Sequence, residues 1–186
     1  MKIINIYMMF LWITISTSCK QSPEVAEEKL SQEIVDLRGQ SISKFPEALL
    51  KNEACIQIFI GSKTFKKYPP NTLVPNEPIT LSTIPEEIGK LNNLRKLSIT
   101  ASDLTVLPKS LGQLRNLKTL DISFNSKLDT ASFVAHIGNI PRLDTLIMYR
   151  TFIPFTYREK LWVNKPHLMI VDEFSNPEYP GLIISN

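Results

Sequence analysis

One spacing of apolar residues recurs along this chain and restricts it to a narrow set of folds. Leu91, Leu94, Leu97, Ile99 and Leu104 follow the pattern L-x-x-L-x-x-L-x-L-x-x-x-x-L. Leu114, Leu117, Leu120 and Ile122 repeat it 23 residues later, and Ile140, Leu143, Leu146 and Met148 repeat it again. Cys55, Ile58 and Ile60 fall in the same register, and Val35, Leu37, Ile42 and Phe45 lie one further step of 23 back. Within "LRKLSI" the alternation sends Leu97 and Ile99 inward and Ser98 and Thr100 outward, which is a short strand by its period of two. A unit this short cannot bury its apolar side alone and must stack on copies of itself. The expected architecture is therefore an α/β right-handed solenoid. A short parallel sheet lines its concave face, and short helices and extended turns form the convex one.

A second regularity marks the return path. Phe45-Pro46, Tyr68-Pro69, Ile84-Pro85 and Leu107-Pro108 each pair an anchoring apolar residue with a proline. Proline fixes φ there and gives up a donor that no ladder needs. "PEEIGKL" and "PKSLGQL" then supply about one helical turn each, with Ile88 or Leu111 inward. Pro69 to Thr83 fits poorly. Counting back 23 from Leu97 lands on Val74, but Pro75, Asn76 and Pro78 spoil a strand, so this rung is either degenerate or a bulging loop. The fourth repeat carries three extra residues after Leu128, and Leu168 and Ile170 offer a closing strand 22 residues beyond Leu146.

"IPEEIGKLNNLRKLSI" closely resembles the leucine-rich repeats of the Ras-group and plant disease-resistance type, most strongly over 84–122. That resemblance implies a protein-interaction scaffold. Its usual Asn, which satisfies backbone groups between turns, is present once as Asn125; Gln40, Lys63, Ser102 and Thr151 hold the slot elsewhere. Gln, Ser and Thr can accept a hydrogen bond in its place, whereas Lys cannot.

The N-terminus reads as a targeting segment. Lys2 is followed by an almost uninterrupted apolar run from Ile3 to Ile15, then by Ser16, Thr17, Ser18 and Cys19. These are the charged, apolar and small-residue regions of a secretory signal. The run is shorter than the ~20 residues a membrane span needs. "ISTSC" resembles a bacterial lipobox, with Ser16 where Leu is usual, which implies lipidation of Cys19 and a membrane-anchored protein. Together the two resemblances are to the small leucine-rich-repeat lipoproteins of Bacteroidetes-like bacteria. Lys20 beside Cys19 suits passage to the outer membrane or surface of a Gram-negative cell. The expected organisation is a signal peptide (1–18), a tether or N-terminal cap (19–33), the repeat domain (34–173, irregular at 69–83) and a C-terminal cap or tail (174–186).

Composition removes several function classes. The formal net charge is +3, of which Lys2 supplies one, and acids and bases are interspersed, so nothing favours nucleic acid. With Cys19 claimed by lipid, Cys55 has no disulfide partner, and its place in a leucine slot reads as a buried small hydrophobe. His136 and His167 are isolated, and no hydrolase, metalloprotease or phosphate-loop motif is present. The expectation is a protein that is not an enzyme and uses no cofactor or metal.

Function then falls to the outward residues of the strands. One outward column runs Asp36, Phe59, Ser98, Asp121, Ile147; the next runs Arg38, Gly61, Thr100, Ser123, Tyr149; beside it stand Gly39, Ser62, Ala101, Phe124 and Arg150. Exposed strand faces are normally polar, so Phe124, Ile147 and Tyr149 with Arg150 alongside stand out, and such groupings favour protein interfaces. The candidate partner-binding set is Asp36, Arg38, Phe59, Ser98, Thr100, Asp121, Ser123, Phe124, Ile147, Tyr149 and Arg150. A glycan or cell-wall ligand stacking on Phe59, Phe124 or Tyr149 is the alternative, and a C-terminal tail folded over the patch is the structural one.

Overall fold

The computed structural model describes residues 30–68 and 72–172. The expected signal peptide (1–18), Cys19, most of 19–33 and the expected cap or tail at 174–186 lie outside the described residues. Six strands form one parallel sheet: β1 (Ile34–Asp36), β2 (Gln57–Ile60), β5 (Lys96–Ile99), β6 (Thr119–Asp121), β7 (Thr145–Ile147) and β8 (Met169–Val171), in that spatial order. β3 (Phe65–Tyr68) and β4 (Thr72–Pro75) make a separate antiparallel pair.

The register follows the leucine spacing. Val35, Ile58, Leu97, Leu120, Leu146 and Ile170 face one another across successive strands, and all lie in one core. A fully buried aliphatic side chain contributes about 1.5–3 kcal/mol, and each of these is shared between two neighbouring repeats. Cys55 is buried in the slot that Leu94, Leu117 and Leu143 fill. Burial pushes its thiol up to about 11, against a weak contact to the Gln57 carbonyl, which leaves it protonated and unreactive at neutral pH. The closing strand departs from the expected count: Ile170, not Leu168, pairs with Leu146, a step of 24 rather than 22, and Leu168 takes the place before the strand that Leu94 and Leu117 take in theirs. The turn into β8 is one residue tighter than its predecessors.

Opposite the sheet, Glu47–Lys51, Glu86–Lys90 and Lys109–Gln113 each form a single 3-10 turn entered through Pro46, Pro85 or Pro108. Tyr68-Pro69 does not head such a turn, because Tyr68 ends β3. The three additional residues of the fourth repeat are accounted for by α1 (Thr130–Gly138), a true α-helix in place of the 3-10 turn. Phe133 and Ile137 of α1 are fully buried, and the His136 Nδ1–H donates to the Leu107 carbonyl at 2.7 Å. That histidine is a strut between repeats. α2 (Phe155–Asn164) fills the same place in the fifth repeat, and its Arg158 is paired with the buried Asp172 at the end of β8.

Close stacking of the turns depends on one small residue. A Cβ on Gly89 would lie 2.6 Å from Gln113 Oε1 and 2.8 Å from both Ser110 Cβ and the Ser110 carbonyl. Gly89→Ala should therefore push the second and third turns apart and cost about 1–3 kcal/mol, the usual range for overpacking. An unchanged urea midpoint would contradict this packing.

The 69–83 stretch is not a degenerate rung. β2 pairs directly with β5, so the step from Gln57 to Lys96 is 39 residues rather than 23. The additional 16 are spent mainly on the β3–β4 hairpin, which leaves the sheet just after Ile60. The exit is at Gly61, where φ is +137° and a Cβ would lie 2.2 Å from the Thr100 carbonyl oxygen. Only glycine tolerates both conditions.

Candidate functional site

The outward face of β1, β2, β5 and β6 carries a connected set of polar and charged groups. Asp36, Phe59, Ser98, Asp121 and Ile147 lie in one register row, as the alternation predicts. Arg38 Nη2 and Nε donate to the two carboxylate oxygens of Asp36 at 2.7 and 3.0 Å, and the Arg38 backbone N–H adds a third contact at 3.0 Å. This fork fixes the guanidinium 5.0 Å from the centre of the Phe59 ring. Lys96 Nζ also stands 5.0 Å from the same centre. Phe59 is thus attended by two cations, each held by the negative ring face.

Lys96 did not enter the outward columns considered from sequence. It occupies a further one, with Gln57 and Thr119, that is visible by counting two residues back from Ser98. Its charge is felt by Asp121, to which Ser98 Oγ donates at 3.2 Å and Ser123 donates through Oγ at 2.7 Å and N–H at 3.0 Å. Burial nevertheless dominates and holds the Asp121 carboxyl above its ordinary range, with the serine hydrogen bonds and Lys96 opposing it.

A raised carboxyl pKa contributes stability that is complete below the unfolded value and lost as pH rises through the folded one. On this group's account, stability should fall as pH rises above the ordinary aspartate range. Asp121→Asn keeps an acceptor for Ser123, removes the buried charge, and should raise the melting temperature at neutral pH while flattening that decline. A variant with an identical pH profile would show that Asp121 is not the group responsible.

Other residues of the candidate set are placed differently. Thr100, Ser123 and Tyr149 are 6%, 1% and 2% exposed, so beyond Arg38 this column is buried rather than displayed. Parity fails there because the strands end one or two residues earlier, and Ala101, Phe124 and Arg150 then adopt left-handed φ of 51°, 60° and 54°. Ser98, though in the outward row, is 5% exposed and is committed to Asp121. Phe124 is half-buried, its ring centre 4.9 Å from that of Phe65 on the hairpin. Ile147 is half-buried and Arg150 exposed, both on the fifth repeat and apart from the Phe59 group.

The hairpin stands beside the charged group. Glu77 closes its base: Ser62 Oγ and the Lys63 N–H donate to Oε2 at 3.1 and 3.3 Å, and Thr64 Oγ1 donates to Oε1 at 3.2 Å. Against some burial that opposes ionisation, these bonds together hold the Glu77 carboxyl below its ordinary range. Among the described residues, no group of three or more His, Cys, Asp or Glu is placed to hold a metal ion, and no helix is long and apolar enough to cross a membrane.

No protein-family model matches this chain, and no curated protein does. Solved structures do match. One is a leucine-rich-repeat protein of Leptospira interrogans, 21% identical, with a TM-score of 0.42. The alignment covers 82% of this chain and 39% of that one, so this chain spans well under half of its length.

Proposed function

We propose that the chain is a leucine-rich-repeat solenoid, lipid-anchored through Cys19 at the envelope of a Gram-negative bacterium, that binds a protein partner and performs no chemistry of its own. The observation that carries the interaction reading is the Phe59 group. An aromatic ring with two attending cations, set in a rigid parallel sheet, has the composition of an interface anchor. The lipobox-like "ISTSC" supports the anchoring, and Lys20 beside Cys19 supports the outer-membrane location.

A glycan ligand has less support. The Phe124 ring lies against Phe65 and Tyr149 is buried, so two of the three aromatics proposed for sugar stacking are covered and Phe59 is left alone.

Two measurements test this reading. Cys19→Ser should abolish incorporation of labelled fatty acid and release the protein from the membrane fraction, because stable attachment rests on acyl chains; unchanged partitioning would end the lipoprotein assignment. Crosslinking in the native envelope should yield a discrete adduct that Phe59→Ala removes. An adduct indifferent to Phe59, or no adduct at all, would count against this face.

A further inference from the structure

Acids and bases on this side of the molecule are not in the same state. Asp36 is occupied by Arg38, Asp121 by Ser98 and Ser123, and Glu77 by Ser62, Thr64 and the Lys63 backbone. Every carboxylate named here is spent internally. Three lysines are not: the ion pairs among the described residues are Arg38–Asp36, Lys127–Asp103 and Arg158–Asp172, and none uses Lys63, Lys66 or Lys67, while Lys96 stands at the Phe59 ring and acts on Asp121 without a close ion pair.

Lys63 and Lys96 lie beside Arg38 and Phe59, and Lys66 and Lys67 lie on the hairpin, on its two faces. Lys96 is at the Phe59 ring, and Arg38 lies over the same ring. Gly39, next to Arg38, has its Cβ direction filled by Lys63 Cβ at 3.3 Å. Lys66 and Lys67 follow on β3, exposed, with Phe65 between them and Lys63 holding the strand against Phe124. The 16-residue insertion thus adds Lys63, Lys66 and Lys67 to this part of the molecule, while the nearby carboxylates keep their charge but have hydrogen-bond donors within the chain.

We propose that this surface takes an acidic protein segment, whose carboxylates meet Lys63 and Lys96 beside Phe59 and the exposed lysines of β3 on the hairpin. The inference rests on the protein-interaction reading above and adds the chemistry of the partner. A protein segment fits better than a polyanionic surface. Asp36, Glu77 and Asp121 are interleaved with the lysines, so a uniform sheet of phosphate or sulfate would meet acids as well as bases. A peptide can place its carboxylates at the lysines alone. Complementarity of this kind speeds encounter and selects partners.

The test uses a fluorescent peptide alternating Glu with apolar residues, and versions with Ser or Lys in place of Glu, added to the folded chain and read by polarisation. The acidic peptide should bind, the Lys version should not, and added salt should weaken the complex. Lys66→Glu/Lys67→Glu and, separately, Lys96→Glu should each weaken binding about tenfold or more, while Lys90→Glu on the opposite side should change it little. Equal binding of acidic and neutral peptides, or indifference to the lysine reversals, would overturn the proposal. So would binding to phosphatidylglycerol vesicles in preference to the peptide, which would make the patch a membrane contact. If the acidic peptide fails but the Phe59-dependent envelope adduct persists, the partner chemistry is wrong and the interaction reading stands. If both fail, both fall.

Discussion

Tyr149→Ala is expected to lower stability by ~3–5 kcal/mol, the range for deleting a buried aromatic side chain. Tyr149 is 2% exposed and is among the largest fully buried side chains of the described residues. Its backbone N–H donates to Ser123 Oγ at 3.1 Å, and its carbonyl accepts from the Phe124 N–H at 2.6 Å, so the residue is fastened to the preceding repeat at both ends. A loss of this size corresponds to roughly 10 °C in melting temperature for a domain of this length. The outward reading of Tyr149 makes the opposite forecast, since an exposed side chain could be truncated within about 0.5 kcal/mol. Melting and crosslinking on one Tyr149→Ala sample separate the two. An unchanged melting curve with a lost adduct would return Tyr149 to the partner surface.

The contrast between Leu97 and Tyr149 shows what the sequence could reveal. Leu97, Leu120 and Leu146 recur at fixed spacing because each must fill the same gap between stacked strands, so the register across β5, β6 and β7 was readable from periodicity alone. The middle outward column, Asp36 to Ile147, follows from the same alternation. Tyr149 lies two residues past the end of β7, where the backbone has left the extended conformation and odd–even counting no longer assigns a side.

The hairpin was hidden for another reason. Val74 lies 23 residues before Leu97 and imitated a repeat position, whereas the true pairing skips from Ile58 to Leu97. The alternation in "FKKY" and "TLVP" spans four residues each, too short to outweigh a matching period, although Pro69-Pro70-Asn71 between them is a turn signal. Lys96 is the first residue of β5, two residues before the middle outward row, where alternation alone does not mark it as part of the face. The three-residue lengthening at α1 was legible as a count but not as a helix, since length alone does not distinguish a helix from a loop.

Asn125→Ala should be nearly as damaging as the loss of Tyr149, for polar rather than apolar reasons. The Asn125 amide nitrogen donates to the carbonyls of Ile99 at 2.8 Å and Ile122 at 2.9 Å, with a longer contact to Ser123 at 3.2 Å, and Ser102 Oγ donates to its Oδ1 at 2.5 Å. Thr151 Oγ1 accepts from the Asn125 N–H at 3.1 Å and donates to the Ile122 carbonyl at 2.7 Å. Ser102, Asn125 and Thr151 therefore form a ladder through three repeats, with the two hydroxyls standing in for the absent asparagines. All three are buried. Removing the amide leaves the Ile99 carbonyl and the Ser102 hydroxyl short of a partner, at about 1–3 kcal/mol for each orphaned group, so a total near 3–5 kcal/mol is expected. Asn125→Asp should be worse still, because it turns an oxygen toward carbonyls that need a donor. Ser102→Ala alone should cost less, about 1 kcal/mol. Because Ser102 and Asn125 share one bond, their double variant should be less destabilised than the sum of the single ones. Strict additivity in that cycle would show that the ladder is not a network, and the hydroxyls could then not be credited with replacing asparagine.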